Sequence, residues 1–284
     1  NFSSISLANI NIDSGASSIR IGKTTDTGSS ITTSGALAAA GPISIYGATI
    51  TVSSNLTSSL ASAAISLKAS GNINVDANRT LSNSATGGGP IILWADSNAD
   101  SLGYISSGAS VTYSSNGGSI TLAGGADDGA STVESGRTAG DGIPDGYAWG
   151  QSGQLIGINI AALSTINSAN GYIFIAGHGA NQTIGVGEGI QMAEGTLVDG
   201  GTGKIHIYGT SNAITTSNGY SEGIRLRGVT SLNASRPLTI TNSSSATDAI
   251  VIVGDASAST QGRAGGILAV SWNAKTGGGS RNII

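Results

Sequence analysis

Cysteine is absent from the 284 residues, so neither a disulfide framework nor a thiolate metal site is open to this chain. Charge is scarce: Asp, Glu, Lys and Arg make up 10%, where about 25% is usual. The twelve Lys and Arg residues are scattered singly, which leaves no basic stripe for nucleic acid or an anionic membrane. No apolar run approaches the roughly 20 residues that span a bilayer, so this segment does not insert in a membrane. A signal peptide is also missing, since Asn1 opens directly into polar, strand-like sequence; in an exported protein the signal would be cleaved or lie upstream. Disorder is excluded as well. Disordered chains combine low hydrophobicity with high net charge, whereas this one is 38% hydrophobic with a net charge of −4.

Glycine is abundant, at 45 residues, and Ile outnumbers Leu about two to one, which suits a pleated surface. One element recurs: a small residue, two aliphatics at i and i+2, then often Gly. It reads SIRIG (18–22), PISIYG (42–47), AISLKA (64–69), PIILWA (90–95), SITLAG (119–124), YIFIAG (172–177), KIHIYG (204–209) and PLTITN (237–242). This alternation marks a half-buried strand, termed strand A. A second element, strand B, lies between its copies as GINI (157–160), GIQM (189–192), GIRL (223–226) and GILA (266–269), with degenerate copies at 49–52, 72–75 and 103–106. A weaker third element follows at 79–82, 110–113, 164–167, 195–198 and 229–232.

Spacing joins these elements into coils. From strand B to the next strand A, Ile105 to Ile120, Ile158 to Ile173, Ile190 to Ile205 and Ile224 to Leu238 span 15, 15, 15 and 14 residues. From strand A to strand B the interval varies: 17 from Ile173 to Ile190, 38 from Ile120 to Ile158 and 29 from Leu238 to Ile267. The pattern predicts an all-β, right-handed parallel β-helix of roughly nine or ten coils, three strands per coil, about 45 Å long at ~4.8 Å per strand. It also predicts one segment over 1–284, with insertions at about 125–156 and 242–265 leaving the rod at a single corner, and AIVIVG (249–254) as the stretch able to form an extra strand within the second. A sandwich would place Asn-Gly turns between paired runs. Asn116-Gly117 and Asn170-Gly171 instead fall just before strand A, at a coil corner.

In SGNINVDANRTLSNSATGGGPIILWADSNADSLGYI (70–105) and the GIxL…GxIxIxG coils (157–254), the chain resembles the repeat stalks of filamentous-haemagglutinin-type adhesins, the bacterial surface proteins of two-partner secretion. The Asn-Pro-Asn-Gly motif of that family's secretion domain is missing, which points to a stalk segment. The resemblance implies an extracellular, cell-surface location and a role in adhesion to a host or surface receptor, carbohydrate among the candidates. The alternatives are a subunit of a self-assembling extracellular filament and, third, a β-helix carbohydrate-active enzyme. The last half-coil runs from Gly266-Ile267 to Ile283, where a new strand A is due, so further coils or a stacked identical subunit are expected beyond Ile284.

Enzymes on this scaffold need clustered carboxylates, or a basic residue with calcium, on one outer face. The outward strand-A positions run Arg20, Ser44, Ser66, Ile92, Thr121, Phe174, His206 and Thr239, then Tyr46, Lys68, Trp94, Ala123, Ala176, Tyr208 and Thr241. None is acidic, so no catalytic residue and no required cofactor are expected; acids carried in by an insertion are the remaining route. His178 and His206 read as solvated outer-face residues. Asp141-Gly-Ile-Pro-Asp145-Gly resembles the core of a thrombospondin type 3 calcium repeat, with Asp127, Asp128 and Glu134 in the same insertion. Asp96-Ser-Asn98-Ala-Asp100 has the Asp-x-Asn-x-Asp spacing of calcium loops without the later bidentate Glu. Plain turn chemistry accounts for both equally. The outward aromatics Tyr46, Trp94, Tyr172, Phe174 and Tyr208 form either a surface for carbohydrate or lateral rod contacts, or an exposed ladder of rings packing on one another. An ice-binding array would want a regular outward Thr ladder, and Thr239 and Thr241 do not continue into Phe174 and His206.

Overall fold

A computed structural model describes residues 4–6, 15–25, 28–130, 133–135, 137–181, 187–212, 221–228, 236–257, 264–271 and 280–283. The chain winds as a right-handed parallel β-helix with three sheets and no helix among these residues. Sheet 1 carries strand A in eight successive rungs, from Ile19–Ile21 through Ile173–His178 and Ile205–Thr210 to Ile250–Asp255. Sheet 2 carries strand B, and sheet 3 the weaker third element.

The register explains the sequence pattern. In sheet 1, Ile19, Ile43, Ile65, Ile91, Ile120, Ile173 and Ile205 stand above one another facing inward and buried, and Ile250 continues the column on the last rung, where it is exposed. Sheet 2 stacks Ile31, Ile50, Ile73, Ile105, Ile158, Ile190, Ile224 and Ile267. Sheet 3 stacks Leu37, Leu56, Leu81, Tyr113, Ile166, Val198 and Ile240. Each inward aliphatic is worth about 1.5–3 kcal/mol of burial, and a one-residue slip would turn a whole rung inside out. Among the described residues, Tyr113 is the aromatic admitted to this narrow interior, fully buried. Its phenol meets Ser107 Oγ at 2.5 Å, the polar partner a buried hydroxyl requires.

Two corners are sealed differently. Between sheets 1 and 2 the backbones touch. A Cβ on Gly209 would lie 2.1 Å from the Gly223 carbonyl oxygen, and one on Gly223 would lie 2.3 Å from the Asp255 nitrogen. That contact accounts for the Gly closing strand A and the Gly opening strand B in the repeat. Between sheets 3 and 1 a buried polar ladder satisfies the turn carbonyls: Ser58 Oγ donates to Gly41 O at 3.0 Å, Asn83 Nδ2 to Ala63 O at 2.9 Å and Ser168 Oγ to Gly171 O at 2.6 Å.

The last coil departs from the expected register. Thr239–Thr241 within PLTITN pairs with Leu197–Asp199 in sheet 3, so it is the third element rather than strand A. The strand-A rung is Ile250–Asp255, paired along its length with Ile205–Thr210. Residues 242–265 therefore include a strand of sheet 1, Ile250–Asp255. The extra length falls earlier: 16 residues separate the inward Ile224 and Ile240, against 8 between Ile190 and Val198. The third-element copy placed at 229–232 lies outside the described residues, as 229–235 all do. Ile283 likewise does not open a new strand A, because Ser280–Ile283 pairs antiparallel with Ala264–Ser271 in sheet 2. The insertion at 125–156 does leave between strand A (Ile120–Gly124) and strand B (Ile156–Ile160).

Candidate functional site

The described residues of the insertion, 125–130, 133–135 and 137–155, return across the outside of sheet 1 instead of projecting away from it. Two attachments fix the path at its ends. Trp94 Nε1 donates to Gly125 O at 2.8 Å, and the short strand Ala148–Trp149 pairs in parallel with Gly177 and His178. Trp149 then stacks on the His178 ring with centroids 3.5 Å apart. His178 is thus buried, not solvated. Its Nδ1 donates to Gly179 O at 2.5 Å, and burial holds its pKa down at about 4, so it serves as a neutral aromatic surface near pH 7.

Midway, the insertion delivers Glu134 and Arg137 to the outward positions of sheet 1. Glu134 accepts a hydrogen bond from Tyr172 Oη at 2.7 Å, and its other oxygen lies 2.5 Å from His206 Nδ1. His206 Nε2 faces the Asp248 backbone oxygen at 3.1 Å. Arg137 lies with its guanidinium carbon 4.1 Å from the Phe174 ring centroid, reaches Asp145 Oδ1 at 3.1 Å and approaches Glu134 at 3.5 Å. Phe174 is fully covered, and His206 nearly so. Burial and the Glu134 carboxylate push the Tyr172 phenol far above its ordinary range, so it stays protonated and donates to Glu134.

The expected row of exposed aromatics is accordingly broken up. Tyr172, Phe174 and Tyr208 do come together, with His206 among them, in tilted and edge-on contacts of 5.1–6.2 Å. Phe174 and Trp94 are buried and unavailable to a ligand. Tyr46 and Trp94 share the outward column of Tyr208 but lie several rungs away from it, with Arg20 5.3 Å from the Tyr46 ring and Lys68 Nζ 3.6 Å from the Trp94 ring. Cations, not further rings, are their neighbours.

Between the insertion and the rungs of Ile205–Thr210 and Ile250–Asp255 lies a cleft of about 800 Å³. Tyr172, His206, Tyr208 and Val251 line its floor, Glu134, Arg137 and Asp141 one wall, and Lys204 and Asp248 the opposite rim. Lys204 Nζ and Asp248 form an exposed ion pair at 2.5 Å. Sequence reasoning did not place Arg137, Lys204 or Asp248 here. Glu134 entered it only as a calcium candidate.

The acids nominated for calcium are engaged by backbone and guanidinium donors. Asp145 is buried and, besides Arg137, accepts from Gly129 N at 2.7 Å. Asp127 gathers the N–H groups of Gly140, Asp141 and Gly142 at 2.6–3.3 Å. Asp141 and Asp128 each accept from the residue two positions on. Among the described residues no three His, Asp or Glu side chains converge as a metal site would need. In the other loop, Asn98 Nδ2 donates to Asp100 at 2.7 Å, and Asp96 accepts from the N–H groups of Asp100 and Leu102 at 3.0 and 3.4 Å.

Asp96 yields a pH prediction. Burial first, then the adjoining Asp100 carboxyl, raises its pKa from 3.8 to about 7. The folded state thus keeps a proton that the unfolded chain releases, and stability falls as pH rises from about 4 to 7. Asn at this position keeps the Oδ1 acceptor and tolerates the left-handed backbone, φ +50. Asp96→Asn should be more stable than the parent at pH 8 by about 1–2 kcal/mol after solvent screening, with the gain gone below pH 4. Thermal melts across pH check this. Calcium held by the loop would reverse the sign: added calcium would stabilise the parent, and Asp96→Asn would lose that gain.

A second buried cluster lies on two interior strands of sheet 2, Gly187–Met192 and Ser221–Arg227. Glu188 and Glu222 stand opposite each other on neighbouring strands, both about 98% buried or more at 1% and 2% exposure. Arg225 bridges them, with Nη1 2.5 Å from Glu188 and Nε 3.7 Å from Glu222. Burial pushes the Glu188 carboxyl above its ordinary range, and Arg225 pulls it partly back. No family model matches the chain, and neither curated proteins nor solved structures give a significant match.

Proposed function

We propose that this chain is part of an extracellular structural and adhesive stalk on a bacterial surface, passive in chemistry, which meets its receptor through the lateral cleft beside the insertion. One observation carries the reading. Rung after rung repeats the same inward residues, while the one long insertion between strand A and strand B is pinned down to wall a cleft. Repetition of this kind extends a chain by about 4.8 Å per rung and needs no chemistry of its own. Asp255, at the end of the last rung, is the acid at the outward positions of the described sheet 1 strands, and the acid that the insertion lays over Tyr172 and His206 is already bonded to both.

Beads coated with the folded chain test this against surfaces bearing host-type glycoproteins. They should adhere above beads coated with heat-unfolded chain, and the chain should release no reducing ends from a panel of polysaccharides. Equal adherence of both bead types would remove the adhesive reading, and polysaccharide cleavage would remove the passive one.

A further inference from the structure

We infer that the cleft between the insertion and the rung Ile205–Thr210 is a binding site for uncharged saccharide, and that it discriminates against acidic sugars. The inference rests on the adhesive reading and specifies its ligand. At about 800 Å³ the cleft falls within the ~300–1,000 Å³ of small-molecule sites.

Its charge balance decides the class of sugar. The two Lys and Arg cations in the lining are both neutralised from within: Arg137 by Asp145 and Glu134, Lys204 by Asp248. Asp141 adds a further carboxylate to the wall. A sulfate or uronate would enter a lining with three carboxylates against two cations, and neither cation is free to receive it. Hydroxyl groups face no such penalty, because they donate to carboxylates and accept from ammonium or phenol groups.

The floor supplies what the non-polar face of a pyranose needs. Tyr208 is half-buried, with its ring held by contacts to Phe174 and His206 at 6.0 and 6.2 Å, and Val251, opposite His206 on the next rung, adds apolar surface to the same lining. Among the described residues its hydroxyl has no hydrogen-bond partner, which leaves it for a ligand. An apolar ring body with a polar tip suits a molecule that is itself apolar on one side and wet on the other. The cleft is also set in advance, because Glu134 ties the insertion to Tyr172 and His206 before any ligand arrives. Little ordering cost then opposes binding.

Titration calorimetry tests this with the whole chain, chitotriose, cellotetraose, mannotriose and lacto-N-tetraose as uncharged probes, and trigalacturonate and a heparin hexasaccharide as acidic ones. At least one uncharged probe should bind and the acidic probes should not. Tyr208→Ala should weaken that binding about tenfold or more, with circular dichroism and melting unchanged. Asp248→Asn, which frees Lys204, should shift preference toward trigalacturonate. Preference of the parent for the acidic probes, no binding by any uncharged probe, or indifference to Tyr208→Ala would each overturn the inference. Adherent beads together with any of these results would leave the stalk reading standing; probe binding with non-adherent beads would do the reverse.

Discussion

Replacing Arg225 with Met should cost about 3–5 kcal/mol locally, because it strands Glu188 and Glu222 in the protein with no cation between them. Their positions on neighbouring strands leave them no way to separate. One of them would then have to take up a proton, so the variant should recover stability as pH falls, the sign expected of a carboxyl whose folded pKa lies above its unfolded one. Adding Glu188→Gln and Glu222→Gln to Arg225→Met should restore most of the loss. A stack of coils need not unfold in two states, so hydrogen exchange in Gly187–Met192 and Ser221–Arg227 is the measurement to make. Unchanged protection there in Arg225→Met would show that the two acids are not held by that guanidinium.

Gly223→Val should be as damaging for a steric reason. Even a methyl at this position meets the Asp255 nitrogen at 2.3 Å and the Gly209 oxygen at 2.6 Å, and both obstacles are backbone. Relief requires the corner between sheets 1 and 2 to open, at about 3 kcal/mol or more. Gly28→Ala, where a Cβ meets nothing within 4 Å, is the control and should stay within about 0.5 kcal/mol. Loss of exchange protection in both Ile205–Thr210 and Ile250–Asp255 is expected for Gly223→Val alone. Equal behaviour of the two variants would show that backbone contact does not set the corner.

The inward ladders were legible because their period of two, carried by Ile and Leu at fixed offsets, states which side of each strand is buried. Which sheet a strand joins was less legible. Leu238 and Ile240 alternate as well as Ile250 and Ile252, and a spacing of 14 from Ile224 fits the earlier coils, so the sequence alone points to PLTITN as strand A. Local alternation reports a buried face but not which of three faces, and a longer passage between Ile224 and Ile240 moved the register. The outward parity of Tyr172, Phe174, His206 and Tyr208 was also readable. Their cover was not, because it depends on where a long insertion lands. Glu134 meets residues 38 and 72 positions away, and neither separation has a periodic signature. His178 illustrates the same limit: its burial comes from Trp149, which the insertion brings back beside it.

The insertion also changes how such a rod would tear. In a stack held by nearest-neighbour contacts, a pull on one end peels off a single coil at a time, and the force never exceeds what one interface resists. Here one continuous stretch of chain grips the rung of Trp94 through Gly125 and the rungs of Tyr172 and His206 through Glu134. A crack reaching these coils must break bonds in three layers together before it can advance. On the proposed adhesive reading, the segment that walls the cleft would act as a tear stop, placed where a tethered ligand would apply its load.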